Sequence, residues 1–489
     1  MTEPDDRPTT PQQGPRADGE GADATGLRAA FAKHRVAWIT AASVAAFALL
    51  GSGALAAGAS VGSGTPEAAP TPTATVTVEP PRAVPTAAPA PATLRTCSVA
   101  ELAADSRLAN FQGQVRNTET GEVLFDRKGD DPERTGSVLK VLTAASALAA
   151  LGPDYRIPTR VVQGDRPGQI VLVGGGDPTI SAVSNSFYEG APKLSDLAAQ
   201  ALAAYQAANP GQPITELVLD ATLWNPDDNY DESWDADQRT IGYSSLVTAL
   251  QVDGDRQNPS VGTSPRSTDP VGRAGQAFAD ALGVPNATIT RAAAPENAAV
   301  LGEVFSQPVS TLIGQMELTS DNTLAEQLAR LVSLDAGGDG SFASLTQTIP
   351  RVLADTYGIP TDGMVIRDGS GLSEFNRVPP SYVAQLMVKV LNGENGLGVV
   401  YDALPVSGQT GTLASRFTGP NAVARGAINA KTGWIDTAYT LAGIVHAEDG
   451  STLSFAFYAV GDGVQDSARQ ALDNLATGVW RCGANLAAN

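Results

Sequence analysis

An uncharged segment near the N-terminus limits most strongly what this chain can fold into. Residues 36–57 are 22 consecutive positions without a charge, and a helix of about 20 apolar residues crosses a bilayer core of about 30 Å. The basic residues Arg28, Lys33 and Arg35 lie just before it, whereas the next charge after it is Glu67. Because basic residues stay on the cytoplasmic side, this pattern predicts a single-pass membrane anchor with the N-terminus inside the cell and the rest of the chain outside.

The flanks of this segment are too polar or too rich in proline to form a core. Residues 1–35 are rich in Pro, Gly, Asp and Gln, so we expect a disordered cytoplasmic tail. Residues 58–96 form a linker with eight prolines among the 28 positions of residues 65–92, a spacer that reaches on the order of 80–90 Å. A cleaved signal peptide is the alternative, because residues 54–56 (A-L-A) match the small-residue cleavage pattern. The head would then be secreted.

The rest of the chain, from Cys97 onward, is a head of 393 residues. This length exceeds what one hydrophobic core supports, so we expect two structural units. The chain has 32 Lys+Arg against 52 Asp+Glu and a net charge of −20, which argues against nucleic acid as a partner. The two cysteines, Cys97 and Cys482, open and close the head, and outside the cytoplasm they are most simply a disulfide. Two free thiols are the alternative.

The pattern of the head predicts mixed α and β structure. Apolar and polar residues alternate from 112 to 126 around a turn at 117–121, which predicts a β-hairpin, and an Ala/Leu-rich run stopped by Gly152-Pro153 predicts a helix over 138–150. Further strands are predicted at 159–162, 170–173, 216–220, 425–431, 439–446 and 452–460, and helices at 194–208, 309–334, 381–391 and 466–480. This order indicates a sheet covered by helices, with an insertion in the middle.

Histidine and cysteine are too scarce for the commonest hydrolytic sites. The two histidines are His34, which precedes the predicted anchor, and His446, so a Ser-His-Asp triad has a single candidate base. Two cysteines at the ends of the head do not make a zinc site, and we expect neither metal nor cofactor. Lysine is a different kind of base, and the chain has six of them: Lys33, Lys128, Lys140, Lys193, Lys389 and Lys431.

One of these lysines follows a serine by three positions. In the segment S-V-L-K at residues 137–140, positions i and i+3 share one face of the first helical turn, so the Lys140 amine can reach the Ser137 hydroxyl. A buried lysine with a lowered pKa can activate such a serine as a nucleophile. Taken alone, the segment also fits an ordinary helix cap followed by a lysine.

Two further motifs carry groups that suit an acyl-transfer site. In S-D-N at residues 320–322, between two predicted helical segments, Ser320 and Asn322 can point into one cleft. In K-T-G at residues 431–433, at the end of a predicted strand, a cation and a hydroxyl can bind a carboxylate, and Gly433 lets a substrate backbone come close. A helix cap and a strand-end turn are the structural alternatives for the two motifs.

Together, in the order S-x-x-K, S-x-N and K-T-G, the motifs are the signature of penicillin-binding proteins and serine β-lactamases. The surrounding residues resemble the D-alanyl-D-alanine carboxypeptidase/endopeptidase family, the low-molecular-mass class C penicillin-binding proteins. The matching segments are residues 136–161, 171–180, 316–330, 367–380, 404–416 and 429–433.

This resemblance implies an α+β multidomain chain with the penicillin-binding/serine β-lactamase-like transpeptidase fold. That fold is an antiparallel sheet flanked by helices, with a helical lobe and with one or two domains inserted between the first two motifs. For this chain we expect one inserted domain over residues 158–300, and a DD-peptidase domain made of residues 97–157 and 301–489.

The resemblance also implies a role for each motif residue. Ser137 would be the acylated nucleophile and Lys140 its general base. Ser320 and Lys431 would pass the proton to the departing D-alanine.

Substrate binding would involve the remaining motif residues. Asn322 would hold the acyl-side amide, Thr432 would bind the terminal carboxylate with the lysine before it, and Gly433 would admit the substrate backbone. The backbone N–H groups of the nucleophile and of Trp434 would form the oxyanion hole. Two positions depart from the family pattern: Trp434 replaces a small hydroxyl residue, and Thr410 stands where Asp is common.

The sequence therefore predicts a serine-type D-alanyl-D-alanine carboxypeptidase that acts on peptidoglycan stem peptides ending in D-Ala-D-Ala and that β-lactams inhibit covalently. An endopeptidase activity on cross-linked peptides fits the same motifs. A serine β-lactamase and a catalytically silent penicillin-binding wall or sensor module are the alternatives. The segment D-G-S-G-L-S at residues 368–373 lacks the G-x-S-x-G spacing and is interpreted as a tight turn.

Overall fold

The computed structural model describes residues 94–464 and 466–487. The predicted tail, the anchor and all but the last three residues of the predicted linker lie outside this part of the chain. Within it, no helix is both long and apolar enough to cross a bilayer. Its strands, in chain order, are β1 (Asn110–Asn117), β2 (Val123–Arg127), β3 (Pro158–Gln163), β4 (Gln169–Gly174), β5 (Glu216–Asp220), β6 (Thr288–Arg291), β7 (Val300–Phe305), β8 (Ile428–Ile435), β9 (Ala438–His446) and β10 (Thr452–Val460).

Most of the helices follow strand β2 and precede strand β8 in the chain. In chain order they are α1 (Ala100–Ala103), α2 (Leu139–Ala150), α3 (Leu194–Ala208), α4 (Gln238–Ile241), α5 (Pro270–Ala281), α6 (Val309–Thr319), α7 (Asn322–Asp335), α8 (Phe342–Tyr357), α9 (Pro380–Leu391), α10 (Gly398–Ala403) and α11 (Ser467–Cys482).

The first sheet joins the two ends of the head. Its order is β2-β1-β10-β9-β8, and every neighbouring pair is antiparallel. Helix α9 packs against β10 and helix α11 packs against β9. Because both faces are covered, β9 and β10 are apolar along almost their whole length and are buried without alternation. The predicted antiparallel sheet flanked by helices is confirmed.

The second sheet is built from the segment that the sequence predicts as an insertion. Its order is β6-β5-β4-β3-β7, with β4, β5 and β6 parallel and the β3 pairings antiparallel. Strand β7 begins at residue 300, where the insertion was predicted to end, and it pairs with β3 from Pro158 opposite Phe305. The segment thus ends beside the strand with which it begins.

One face of the second sheet packs into a core that it shares with helices of the head, while its other face holds a small cluster around Val171. Leu172 of β4 and Phe278 of α5 belong to one continuous hydrophobic cluster with Leu142 of α2 and Leu324 of α7. A second cluster lies on the other face of the first sheet, beneath α11. Because it shares a core with the helices that carry two of the motifs, the inserted segment holds a fixed position beside them.

Most predicted elements are confirmed, and the differences have physical reasons. The third motif does not end its strand: β8 runs on to Ile435, since a two-residue connection lets Ile435 pair with Ala438 of β9. Helix α8 is missed, because Pro350 lies inside it and proline argues against a helix interior. The break at residues 320–321, between α6 and α7, lies where the S-D-N motif was expected to separate two helical segments.

The predicted disulfide between Cys97 and Cys482 is confirmed, with the Cα atoms 5.4 Å apart and a sequence separation of 385 residues. Replacing both cysteines by serine should lower the free energy of unfolding by about 2–5 kcal/mol, since the cross-link restricts the unfolded chain. Chemical denaturation of the oxidised protein and of the double variant measures this difference. Equal transition midpoints for the two proteins would contradict the expectation.

Candidate active site

The first motif brings a serine and a lysine together at the start of helix α2. Ser137 lies in a one-turn 3₁₀ helix (Gly136–Val138) that leads into α2, and Lys140 Nζ lies 2.8 Å from Ser137 Oγ. Lys140 is fully buried, and burial together with the charge of Lys431 lowers its pKa to about 7. Near neutral pH much of the amine is therefore unprotonated and can accept the Ser137 proton.

Two further contacts orient the Lys140 amine. Its Nζ donates to Asn322 Oδ1 at 2.6 Å and to the backbone oxygen of Ser370 at 2.7 Å. A neutral amine has two N–H bonds, and these two acceptors use both of them. The remaining lone pair then faces the Ser137 hydroxyl, which is the arrangement a general base needs.

The turn at residues 368–373 supplies one of these acceptors. The Asp368 carboxylate accepts the backbone N–H groups of Gly371 and Ser373 at 2.9 and 2.6 Å, and Glu326 accepts the N–H of Ser370 at 2.8 Å. Burial raises the pKa of both carboxyl groups, that of Glu326 to about 8. The interpretation of this segment as a turn is confirmed, but the sequence did not indicate that its backbone would hold Lys140.

The second and third motifs meet through another buried lysine. Lys431 Nζ donates to Ser320 Oγ and to its neighbour's carbonyl, Thr432 O, both at 2.9 Å. Burial lowers the pKa of Lys431 to about 8, while the nearby Glu317 opposes that shift. Glu317 is itself buried one turn before Ser320, and burial raises its pKa to about 7. The sequence reasoning missed this carboxyl group.

The glycine of the K-T-G motif allows strand β8 to touch the start of α2. A Cβ on Gly433 would lie 2.6 Å from Thr135 O and 2.9 Å from the backbone nitrogen of Ser137, distances that no side chain tolerates. From the opposite side, a Cβ on Gly136 would lie 2.9 Å from the backbone nitrogen of Trp434. The close approach therefore brings the backbone of Trp434 against that of the nucleophile's turn.

A pair of threonine hydroxyls extends the site beyond the lysine of the third motif. Thr432 Oγ1 donates to Thr412 Oγ1 at 2.8 Å, and Thr412 lies in a one-turn 3₁₀ helix (Gly411–Leu413). Thr410 stabilises the same turn, because its hydroxyl accepts the backbone N–H of Val406 at 2.9 Å. Nothing in the structure explains why threonine rather than aspartate stands at this position. Thr412 was missed, although it lies in a segment that resembles the family.

These groups line one cleft of about 680 Å³. Its lining includes Ser137, Ser320, Asn322, Thr432, Gly433 and Trp434. The inserted segment forms the facing wall, where the Tyr243 ring contacts the Trp434 ring edge-on at 6.2 Å between centroids. The Trp434 side chain is 46% exposed, and the Asn322 amide nitrogen donates to Tyr243 O at 3.0 Å. The predicted site residues thus lie together, with both lysines buried behind them.

The chain is similar to known peptidases over most of the part that the structure describes. The family model described as the D-Ala-D-Ala carboxypeptidase 3 (S13) family matches residues 95–265 and 256–479. A carboxypeptidase of Mycobacterium tuberculosis is 34% identical over 400 residues, which cover 79% of this chain and 84% of that protein. A D-alanyl-D-alanine carboxypeptidase of an Actinomadura species is 28% identical over 436 residues, with coverage of 71% and 77%.

A solved structure has the same fold. Penicillin binding protein 4 from Haemophilus influenzae superposes with a TM-score of 0.64 at 19% sequence identity, and the match covers 78% of this chain and 99% of that one.

Proposed function

The chain belongs to the D-Ala-D-Ala carboxypeptidase 3 (S13) family, and from this premise we propose that it removes the terminal D-alanine from peptides ending in D-Ala-D-Ala through an acyl-enzyme at Ser137. The assignment of Ser137 as the nucleophile rests on the 2.8 Å contact between Ser137 Oγ and Lys140 Nζ. The Lys140 amine is buried, has a pKa near neutrality and has its two other hydrogen-bonding directions occupied.

The reaction proceeds in two stages. Ser137 Oγ attacks the carbonyl carbon of the penultimate D-alanine while Lys140 accepts the hydroxyl proton, and the resulting oxyanion is stabilised by the backbone N–H groups of Ser137 and Trp434. The peptide C–N bond then breaks, and Lys431, in contact with Ser320, delivers a proton to the departing D-alanine amine. Lys140 then passes the proton that it took from Ser137 to Lys431, which restores both lysines. Water next attacks the ester and gives a proton to Lys140, and Lys140 returns this proton to Ser137 Oγ as the ester C–O bond breaks, so that the shortened peptide leaves and Ser137 is restored.

Binding of the terminal carboxylate falls to the strand β8 and the turn beside it. Lys431 donates to Ser320 Oγ and to the backbone carbonyl of Thr432, and the Thr432 hydroxyl donates to the Thr412 hydroxyl, so a cation and two hydroxyls lie on adjoining residues. Trp434 has no hydroxyl where the family has one, and Thr412 provides a second hydroxyl in its place. The Asn322 amide, held between Lys140 and Tyr243, faces the acyl side of the substrate.

β-Lactams fit the same site as covalent inhibitors, since a strained amide next to a carboxylate resembles the D-Ala-D-Ala terminus. The wild-type protein should release D-alanine from a peptide ending in D-Ala-D-Ala and should release bound penicillin slowly. A digest of purified cross-linked peptidoglycan measures carboxypeptidase activity as free D-alanine and endopeptidase activity as lost cross-links. Rapid release of hydrolysed penicillin would indicate a β-lactamase, and the absence of both acylation and D-alanine release would indicate a silent module.

We also propose that residues 36–57 hold the protein in the cell membrane with the head outside. The support is the 22-residue uncharged run, the basic residues before it and the proline-rich linker after it. The full chain expressed in a bacterial host should stay in the membrane fraction after a high-salt wash, while a chain that begins at residue 58 should not. A soluble full chain whose N-terminus begins at Ala57 would contradict the anchor and indicate a cleaved signal.

A further inference from the structure

We propose that Arg256, in the inserted segment, is a positioning residue for the reaction, because it holds the S-D-N turn in the shape that the chemistry uses. Arg256 Nη2 donates to Asp321 Oδ2 at 2.6 Å, and the two side chains are only 2% and 3% exposed. Asp321 is the middle residue of the motif, so the ion pair connects the insertion directly to the turn between α6 and α7. The inference rests on the proposed function for the reaction that it affects.

The Asp321 carboxylate is held from three directions. Its Oδ1 accepts the backbone N–H of Leu324 at 2.9 Å, which caps helix α7, and its Oδ2 accepts both Arg256 and the hydroxyl of Tyr188 at 3.1 Å. Burial would raise the pKa of Asp321, but Arg256 and Arg266 hold it below its usual value. The carboxylate therefore stays charged and paired in the folded protein.

The residues on either side of Asp321 both contact a buried lysine. Ser320 accepts from Lys431 and Asn322 accepts from Lys140. Ser320 has a φ of 60° in the left-handed region, which disfavours any residue with a side chain, so the surroundings must hold it there. A fixed Asp321 keeps Ser320 and Asn322 at the distances that the two lysines require.

The guanidinium of Arg256 is itself fixed before any substrate binds. It lies over the rings of both Phe187 and Tyr188, 4.4 and 4.6 Å from their centroids, and its Nε donates to Gly262 O at 3.0 Å. The three preceding residues, 253–255, all have φ values between 51° and 57°. A Cβ on Gly254 would lie 2.4 Å from Arg256 Nη1, so this backbone is built closely around the guanidinium.

A second contact from the insertion reaches the same turn. Arg266 Nη1 donates to Gly254 O at 2.9 Å and its Nη2 to Gly242 O at 3.2 Å. Tyr243, the residue after Gly242, accepts the side-chain N–H of Asn322 through its backbone carbonyl. Arg266 thus joins the backbone around Arg256 to the backbone that orients Asn322.

Replacing Arg256 by glutamine should lower kcat for D-alanine release, and the rate of acylation by labelled penicillin, by about 100-fold, because a displacement of about 1 Å near reacting groups costs this much. KM should change far less than kcat. Titration with labelled penicillin counts the acylatable sites, so kcat is expressed per folded site. A purely structural role would lower the number of sites and leave kcat per site unchanged.

The double variant Arg256→Gln/Asp321→Asn separates positioning from folding. It removes both members of the ion pair, so it should be more stable than the single variant, which leaves the Asp321 charge without Arg256. Its kcat per site should nevertheless stay about 100-fold low, because the contact between the insertion and the S-D-N turn is still missing. Arg166→Gln, which replaces a 66% exposed arginine of the same segment, is the control and should match the wild type. Full kcat per site in both Arg256 variants would overturn the inference. A wild type that releases no D-alanine would overturn the proposed function instead, while its penicillin acylation rate would still test Arg256.

Discussion

Penicillin labelling and D-alanine release are both expected to disappear when Ser137 is replaced by alanine. The loss of kcat should be on the order of 10⁵–10⁶-fold, since removal of the nucleophile leaves only binding and the oxyanion hole to stabilise the transition state. The site suits this role because the hydroxyl faces a buried amine with a pKa of about 7 and lies at the start of a helix. Covalent labelling is read as intact mass after incubation with penicillin.

Ser146→Ala is the matched control for this experiment. Ser146 lies on the same helix α2, is fully buried and donates to the backbone oxygen of Thr143 at 2.9 Å. Its loss should leave both labelling and D-alanine release intact. Labelling that persists in Ser137→Ala would show that another residue is acylated, and the assignment of the nucleophile would fail.

The second large effect concerns Lys140 and pH. Burial lowers the pKa of Lys140 in the folded protein to about 7, and the base must be unprotonated to accept the Ser137 proton. The kcat/KM of the wild type should therefore fall about tenfold for each pH unit below about 7 and level off above it. Replacing Lys140 by methionine should lower kcat by about 10²–10⁴-fold and remove this acid limb.

The alkaline side of the profile has a separate origin. Lys431 must carry a proton to deliver it to the departing amine, and burial lowers its pKa to about 8. Above that pH the rate should fall again, so kcat/KM should be highest between about 7 and 8. Lys389→Met, which removes a lysine of α9 that is paired with Glu394, should leave the whole profile unchanged. An acid limb that survives in Lys140→Met would show that a different group is the base.

Local spacing is the reason why much of the site could be predicted from sequence. Ser137 and Lys140 are one helical turn apart, and the S-D-N and K-T-G motifs each concentrate their functional groups within three positions. The antiparallel hairpin of β1 and β2 and the buried strands β9 and β10 were predictable for the same reason, since their patterns are continuous in sequence.

Contacts between distant segments could not be predicted in this way. The backbone oxygen of Ser370 reaches Lys140 across 230 positions, and Arg256 reaches Asp321 across 65. Each depends on how separate elements pack, and the spacing of neighbouring residues in the sequence does not indicate either contact. Helix α8 and strand β7 were not predicted because of single residues within them: Pro350 opposes a helix, and Gly302 weakens a strand pattern.

The disulfide has a consequence for proteolysis of the head. The side chain of Glu232 is 88% exposed, so a protease that cleaves after glutamate could cut the chain there. Both pieces would remain joined through Cys97 and Cys482, and they would migrate as one band until a reductant is added. Cleavage of the head at such a position would therefore not release its C-terminal part from the linker.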